Sequence, residues 1–136
     1  MKAKELLKEK AKEIGVAAVQ ELSETGDKIW NVYFLNFRKE ILTTILVTSK
    51  GYLKKESGEM IKSSVLRHMF DTVEPESGIK VEPIMEEMFT LNNEYWISFY
   101  SGNELLDRKF IFLADTIQEK YLVDIPLLGK KGVLIK

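Results

Sequence analysis

The sequence predicts an α+β domain: a mostly antiparallel sheet of about six strands with two main helices, in the order α-βββ-α-βββ plus a terminal hairpin. Three observations support this class. Apolar and aromatic runs with strand-like alternation recur along the chain, two segments instead place apolar residues at helical spacing, and Gly- or Asn-containing turns separate the runs. Runs of strands punctuated by a few helices are typical of α+β architecture. We expect residues 1–136 to form a single domain.

The first half of the chain predicts a short helix followed by three strands. Residues 3–14 carry apolar side chains at helical spacing among lysines and glutamates, and the pattern ends at Gly15, so we expect an amphipathic helix there. The strand-like runs that follow are Val16–Ser23, Ile29–Phe37 and Glu40–Thr48. Because Ile29–Phe37 is apolar on both parities, we expect it in the middle of a sheet and covered on both faces.

A second helix is predicted between the polar loop at 51–58 and the turn at 74–78. Ser57 is a suitable N-cap, and we expect the helix, 57–72, to end near Thr72. Its apolar stripe, predicted to pack on the sheet, consists of Ile61, Val65, Leu66, Met69, Phe70 and Val73. His68 lies on the flank of this stripe, where we interpret the lone imidazole as a structural residue.

The second half of the chain predicts further strands. These runs are 79–91, 94–101 and 105–113, with tight turns at Asn92-Asn93 and Gly102-Asn103. Pro83 lies inside the first run, which makes that run an edge strand, a bulged strand or two separate pieces. The chain closes with a predicted hairpin formed by Val123–Leu128 and Val133–Lys136.

The composition limits the classes of function. With 1 His and no Cys, the chain lacks the residues for thiol chemistry, disulfides and most structural zinc sites, and its scattered glycines build no phosphate loop. Lys and Arg (20) balance Asp and Glu (21), which disfavours nucleic-acid and membrane partners. We therefore predict no cofactor and no metal, and lean against an enzyme. No signal-peptide pattern or long apolar run is present, which predicts a soluble, cytoplasmic protein.

The predicted strands between 84 and 113 bring aromatic and charged residues onto one sheet face. The two turns set a register in which Phe89 faces Trp96, and Trp96 faces Lys109. The next rows align Glu87 with Ser98 and Asp107, and Met85 with Tyr100 and Leu105. Aromatics and methionine beside a few charges are enriched at protein interfaces. The predicted partner-binding residues are therefore Trp96, Phe89, Tyr100, Met85 and Lys109. In the alternative, another element of the same chain covers this face.

Two further groups leave their roles open. Glu87 and Asp107 flank Ser98 in the predicted register, and paired carboxylates are able to divide acid and base roles between them. Carboxylates on a sheet surface are more often solvated, however. For these residues and for His68, the sequence leaves any chemical role undecided.

The leading functional hypothesis is a non-enzymatic protein–protein interaction module, such as an adaptor, a chaperone-like protein or an inhibitor or immunity-type protein. It would bind through the aromatic sheet face, either to another protein or to a second copy as a homodimer. The alternative is a small-molecule binder or an unrecognised enzyme. That protein would use a pocket between helix 57–72 and the sheet, with tyrosine, His68 and carboxylates as polar contacts.

Overall fold

The chain folds as two antiparallel β-sheets packed face to face, in a computed structural model that describes residues 12–136. The first sheet has the strand order β6-β2-β1-β10-β9, and the second has the order β4-β3-β7-β8, with β5 also pairing β3. The strands are β1 (Ile14–Leu22), β2 (Lys28–Asn36), β3 (Leu42–Lys54), β4 (Met60–Lys62), β5 (Leu66–Val73), β6 (Ser77–Pro83), β7 (Asn92–Ser101), β8 (Glu104–Phe112), β9 (Val123–Ile125) and β10 (Lys130–Ile135). This is a β-sandwich.

The predicted α+β class with two main helices is wrong. Helical structure within residues 12–136 is limited to two short 3₁₀ turns, Glu86–Thr90 and Glu119–Tyr121. The predicted helix 57–72 instead contains β4 and most of β5, and β5 places Phe70 opposite Ile45 of β3. The apolar residues of 66–70 fit a two-residue repeat as well as a helical one, and pairing with β3 outweighs the local preference. Most of the predicted helix 3–14 lies outside the described residues, and Ile14 begins β1.

The first three predicted strands are confirmed, with β3 extending further than expected. β2 lies between β1 and β6, and side chains of both parities are buried along it. Trp30, Val32 and Phe34 point into the core between the sheets, whereas Tyr33 and Leu35 join a second apolar cluster. The central, doubly covered position predicted for this strand is therefore correct.

The main core lies between the two sheets and is rich in aromatic rings. Phe34 of the first sheet and Phe99 of the second have ring centroids 6.1 Å apart, and both side chains are fully buried. The first 3₁₀ turn, Glu86–Thr90, packs against this core through Phe89, whose ring meets Trp30 edge to face at 5.4 Å. This segment thus contributes to the core instead of adding a strand.

A smaller core covers the outer face of the first sheet. It contains Ala17, Val19, Tyr33, Leu35 and Ile125, with Phe37, Leu128 and Leu134 packed against them. The turn between β9 and β10 brings Leu128 across this face towards β6. A β-carbon at Gly78 would lie 2.7 Å from Cδ2 of Leu35 and 2.8 Å from Cδ2 of Leu128, so a larger residue at that position would require these side chains to shift. The terminal hairpin is confirmed, and its strand β10 also pairs with β1.

The two tight turns predicted in the second half have different outcomes. Gly102-Asn103 does connect a hairpin, β7 to β8, and Gly102 has a φ of 61°, which favours glycine. The Asn92-Asn93 hairpin is wrong, because β7 pairs with β3 on its other side and not with residues 84–91. Pro83 ends the edge strand β6, so the run 79–91 forms two separate pieces.

Candidate functional site: the outer face of the second sheet

The outer face of the second sheet is the surface of β5, β3, β7 and β8 that points away from the main core. Five of its large apolar or aromatic side chains are exposed, by 38% to 65% of their full area: Leu46, Met69, Trp96, Tyr100 and Leu105. The outer face of the first sheet, by contrast, carries the smaller core. Soluble monomeric proteins rarely expose several neighbouring large apolar side chains unless the surface has a function. The outer face of the second sheet is therefore a candidate binding surface.

Strand pairing arranges this outer face in rows. Thr48, Trp96 and Lys109 form one row, Leu46, Ser98 and Asp107 form the next, and Thr43, Tyr100 and Leu105 form the third. Met69 on β5 extends the middle row, since it lies opposite Leu46. Because directly opposed side chains in antiparallel strands are close enough to touch, the rows form a continuous patch centred on β7.

Trp96 is held in place by two neighbours on β8. Its indole Nε1–H donates a hydrogen bond to Oδ2 of Asp107 at 3.1 Å. The Nζ of Lys109 lies 5.3 Å from the Trp96 ring centroid, a cation–π distance. These contacts orient the ring while 48% of its area stays exposed. An aromatic side chain fixed in this way loses little entropy when a partner covers it.

A buried carboxylate lies at one end of the same face. Glu94 of β7 is 7% exposed, with Nζ of Lys50 at 3.8 Å and Nζ of Lys109 at 4.0 Å. Burial, followed by the charge of Glu94, raises the pKa of the neighbouring Tyr52 hydroxyl. The apolar patch therefore ends at a group of one carboxylate and two ammonium groups.

The structure brings together three of the five predicted partner-binding residues. Trp96, Tyr100 and Lys109 share the outer face, and the predicted pairing of Trp96 with Lys109 is confirmed. Phe89 and Met85 are not on this face, and the predicted pairing of Phe89 with Trp96 is wrong. Both lie in or next to the first 3₁₀ turn, because the chain leaves the sheet after Pro83.

Because the chain leaves the sheet after Pro83, the predicted pair of carboxylates, Glu87 and Asp107, is also separated. Asp107 lies opposite Ser98 as expected, but the other neighbour of Ser98 is Leu46 of β3, whereas Glu87 belongs to the first 3₁₀ turn. Leu46 and Met69 were missed as members of the outer face. The two-residue alternation of β3 places Leu46 on the same face as Thr48, and this alternation is sufficient to assign Leu46 to the outer face. The spacing around Met69 instead predicts a helical stripe, so the sequence does not assign it to a sheet face.

A second candidate site lies at one side of the sandwich, where β5 and β6 are the edge strands. A cavity of about 330 Å³ opens there, with Leu66, Ile84, Met85 and Met88 among its apolar lining. Its polar lining includes Glu82 of β6, Ser49 of β3 and Tyr95 of β7. This volume falls within the range of small-molecule sites.

Glu82 is the centre of the polar group in this cavity, and it is only 8% exposed. Its carboxylate accepts hydrogen bonds from Ser49 Oγ at 2.9 and 3.0 Å, from the Tyr95 hydroxyl at 3.0 Å and from His68 Nε2 at 2.7 Å. Burial, together with the charge of Glu82, raises the pKa of Tyr95, so its hydroxyl stays a hydrogen-bond donor. His68 thus bridges the two sheets instead of lying on the flank of a helix.

Comparison with known proteins shows no relative of this chain from which a function could be transferred. No protein-family model matches the chain, and no curated protein matches its sequence. Among residues 12–136, no helix has the length and apolar character needed to cross a membrane. The same part of the chain contains no group of three or more acidic, His or Cys side chains arranged to hold a metal ion.

Proposed function

We propose that this protein is a non-enzymatic protein-interaction module that binds through the outer face of its second sheet, and that the occupant of this face is a second copy of the chain. The observation that carries the proposal is the patch of Leu46, Met69, Trp96, Tyr100 and Leu105, which is exposed and continuous across four strands. Covering such a patch releases ordered water and supplies the free energy of association.

The chemistry of the patch favours a protein surface as the occupant. Trp and Tyr at the centre with methionine and leucine around them is the composition enriched at protein interfaces. Lys109 and Asp107 are each engaged with Trp96, while Lys50 lies beside Glu94 and Arg67 of β5 lies opposite Thr48, so the cations stand around an apolar centre. A face that is mostly apolar at its centre is suited to pack against a second face of the same kind.

The arrangement of rows fits a two-fold axis that runs along β7. Such an axis places Trp96 against its own copy and Tyr100 against its own copy, and it sets β3 of one protomer over β8 of the other. Leu46 then faces Asp107 and Thr48 faces Lys109, so no like charges in these rows are opposed. Two sheets packed in this way are close to parallel, as in the packing of sandwich sheets.

The size of the face predicts a weak dimer. In this arrangement the three strands β3, β7 and β8 overlap and span about 14 Å across the sheet, which places the contact at the lower end of the range of specific interfaces. We therefore expect self-association between micromolar and submillimolar concentration, measured by light scattering or sedimentation velocity. Replacing Trp96 by alanine is expected to weaken the dimer about tenfold or more, since a central aromatic residue dominates a small interface.

Tyr121 supplies the matched control. It is an exposed aromatic residue on the second 3₁₀ turn, with 49% exposure against 48% for Trp96. Tyr121→Ala is expected to leave the dimer unchanged. A wild-type chain that stays monomeric at every concentration overturns the proposal, and a dimer that survives Trp96→Ala places the interface elsewhere and also overturns it.

A further inference from the structure

We infer that the cavity beside β5 and β6 binds a small uncharged aromatic molecule, whose ring lies among the apolar side chains of the lining. This site is separate from the outer face of the second sheet and does not depend on the dimer. Two features carry the inference: the polar wall of the cavity is engaged within the chain, and part of its apolar wall is open to solvent.

The carboxylate of Glu82 is fully engaged. Its Oε1 accepts hydrogen bonds from Ser49 Oγ and His68 Nε2, and its Oε2 accepts hydrogen bonds from Ser49 Oγ and the Tyr95 hydroxyl. These four contacts use the acceptor positions that a carboxylate offers. A cationic group that enters the cavity therefore loses its water without gaining a hydrogen bond to Glu82.

Other polar groups of the wall also have partners. The Ser63 hydroxyl accepts a hydrogen bond from a backbone N–H at 2.6 Å and donates one to a backbone carbonyl at 2.8 Å. The side-chain amide of Asn93 donates to two backbone carbonyls, at 2.8 and 3.1 Å. Nζ of Lys50 lies 3.8 Å from the carboxylate of Glu94 on the outer face. An anionic group would have to compete for these partners, so the binding free energy available to a ligand comes mainly from apolar contact.

The apolar part of the lining comes from both sheets. Leu66 begins β5 of the second sheet, whereas Ile84 and Met85 follow β6 of the first sheet. Ile84 is buried, but Leu66 and Met85 are exposed by 48% and 62%. A ligand that spans these side chains removes apolar surface of both sheets from water, which is favourable.

The two methionines of the lining favour an aromatic ring as the ligand. Met85 and Met88 both line the cavity, and a thioether sulfur beside an aromatic ring makes a favourable contact. Methionine side chains also adapt to the shape of a ligand because they are unbranched and polarizable. The volume of about 330 Å³ accommodates an aromatic ring with a short substituent and excludes a large metabolite.

The test uses the methionine methyl groups as NMR probes while the wild-type protein is titrated with toluene, benzylamine or benzoate at neutral pH. These ligands have nearly the same shape and differ in charge. We expect toluene to shift the Met85 and Met88 methyl signals and to bind about tenfold more tightly than either charged ligand, because the cavity does not replace the water around a charge. The Met69 signal, on the outer face, is expected not to move.

Two variants of matched type locate the site. Met85→Ala removes part of the apolar wall and is expected to weaken toluene binding about threefold or more, followed by the Met88 signal. Met69→Ala is the control, because Met69 is exposed by 65% against 62% for Met85 but lies on the outer face, and it is expected to leave toluene binding unchanged. Neither substitution removes a buried side chain, so both variants are expected to fold.

Several results would overturn the inference. No response of Met85 and Met88 to toluene would do so, and so would shifts confined to Met60 or Met69. Binding of benzylamine or benzoate to the wild-type protein as tightly as toluene would contradict the engaged polar wall. Equal toluene affinity of wild type and Met85→Ala would exclude this cavity as the site.

Discussion

Replacing Phe99 by alanine is a direct test of which face of β7 points into the sandwich. Phe99 is fully buried, and its ring packs 6.1 Å from that of Phe34 in the opposite sheet. Loss of the ring removes about 1.5–3 kcal/mol of burial free energy and leaves a cavity between the sheets. Together these effects predict a loss of about 3–5 kcal/mol in the free energy of unfolding.

The neighbouring residue provides the control, because successive side chains of a strand point to opposite faces. Tyr100 is 38% exposed on the outer face, so Tyr100→Ala is expected to cost less than about 1 kcal/mol. Thermal and urea unfolding at low protein concentration would measure both values, and the Phe99 variant should melt roughly 10–20 °C below wild type. Equal losses in the two variants, or a larger loss for Tyr100→Ala, would refute the assignment of faces.

Two further predictions concern the first sheet. Deleting residues 133–136 removes three of the four pairs between β10 and β1, so we expect a melting temperature at least about 10 °C lower; an unchanged value by circular dichroism would contradict the central place of β10. Burial would raise the pKa of Glu21, but hydrogen bonds from Lys130, Asn31 and Tyr33 outweigh it and lower the pKa below its ordinary 4.5. The stabilisation by ionised Glu21 is therefore present above about pH 4.5 and is lost as the pH falls through the folded-state pKa. In urea unfolding, Glu21→Gln should lose less stability on acidification than the wild-type protein does. Identical pH profiles of the two proteins would exclude this role of Glu21.

Local patterns were sufficient for the strands whose pairing partners follow closely in sequence. The alternation of Ile29–Phe37 predicted a strand covered on both faces, and β2 has that position. The Gly102-Asn103 turn predicted the β7–β8 hairpin and the pairing of Trp96 with Lys109. In these cases the turn geometry and the two-residue repeat leave few other solutions.

Local patterns failed where two structures satisfied the same spacing. Residues 66–73 carry apolar side chains that suit one face of a helix, yet the same segment pairs along β3 as β5. The Asn92-Asn93 turn likewise predicted a hairpin, whereas β7 pairs with β3, which lies about fifty residues earlier in the chain. As a result, Phe89 and Met85 were placed on the wrong surface, and Leu46 and Met69 were missed.

The sequence by itself therefore determined the strand-forming runs, the balance of charge, the lack of thiol chemistry and the aromatic character of the Trp96 strand. Only the tertiary structure decided which strands are neighbours, and with them both candidate sites. The outer face needs four strands in one order, and the hydrogen bonds of Glu82 need Ser49, His68 and Tyr95 from three other strands. Pairing between distant strands depends on burial and hydrogen bonding across the whole molecule, and that information is not present in any local window of residues.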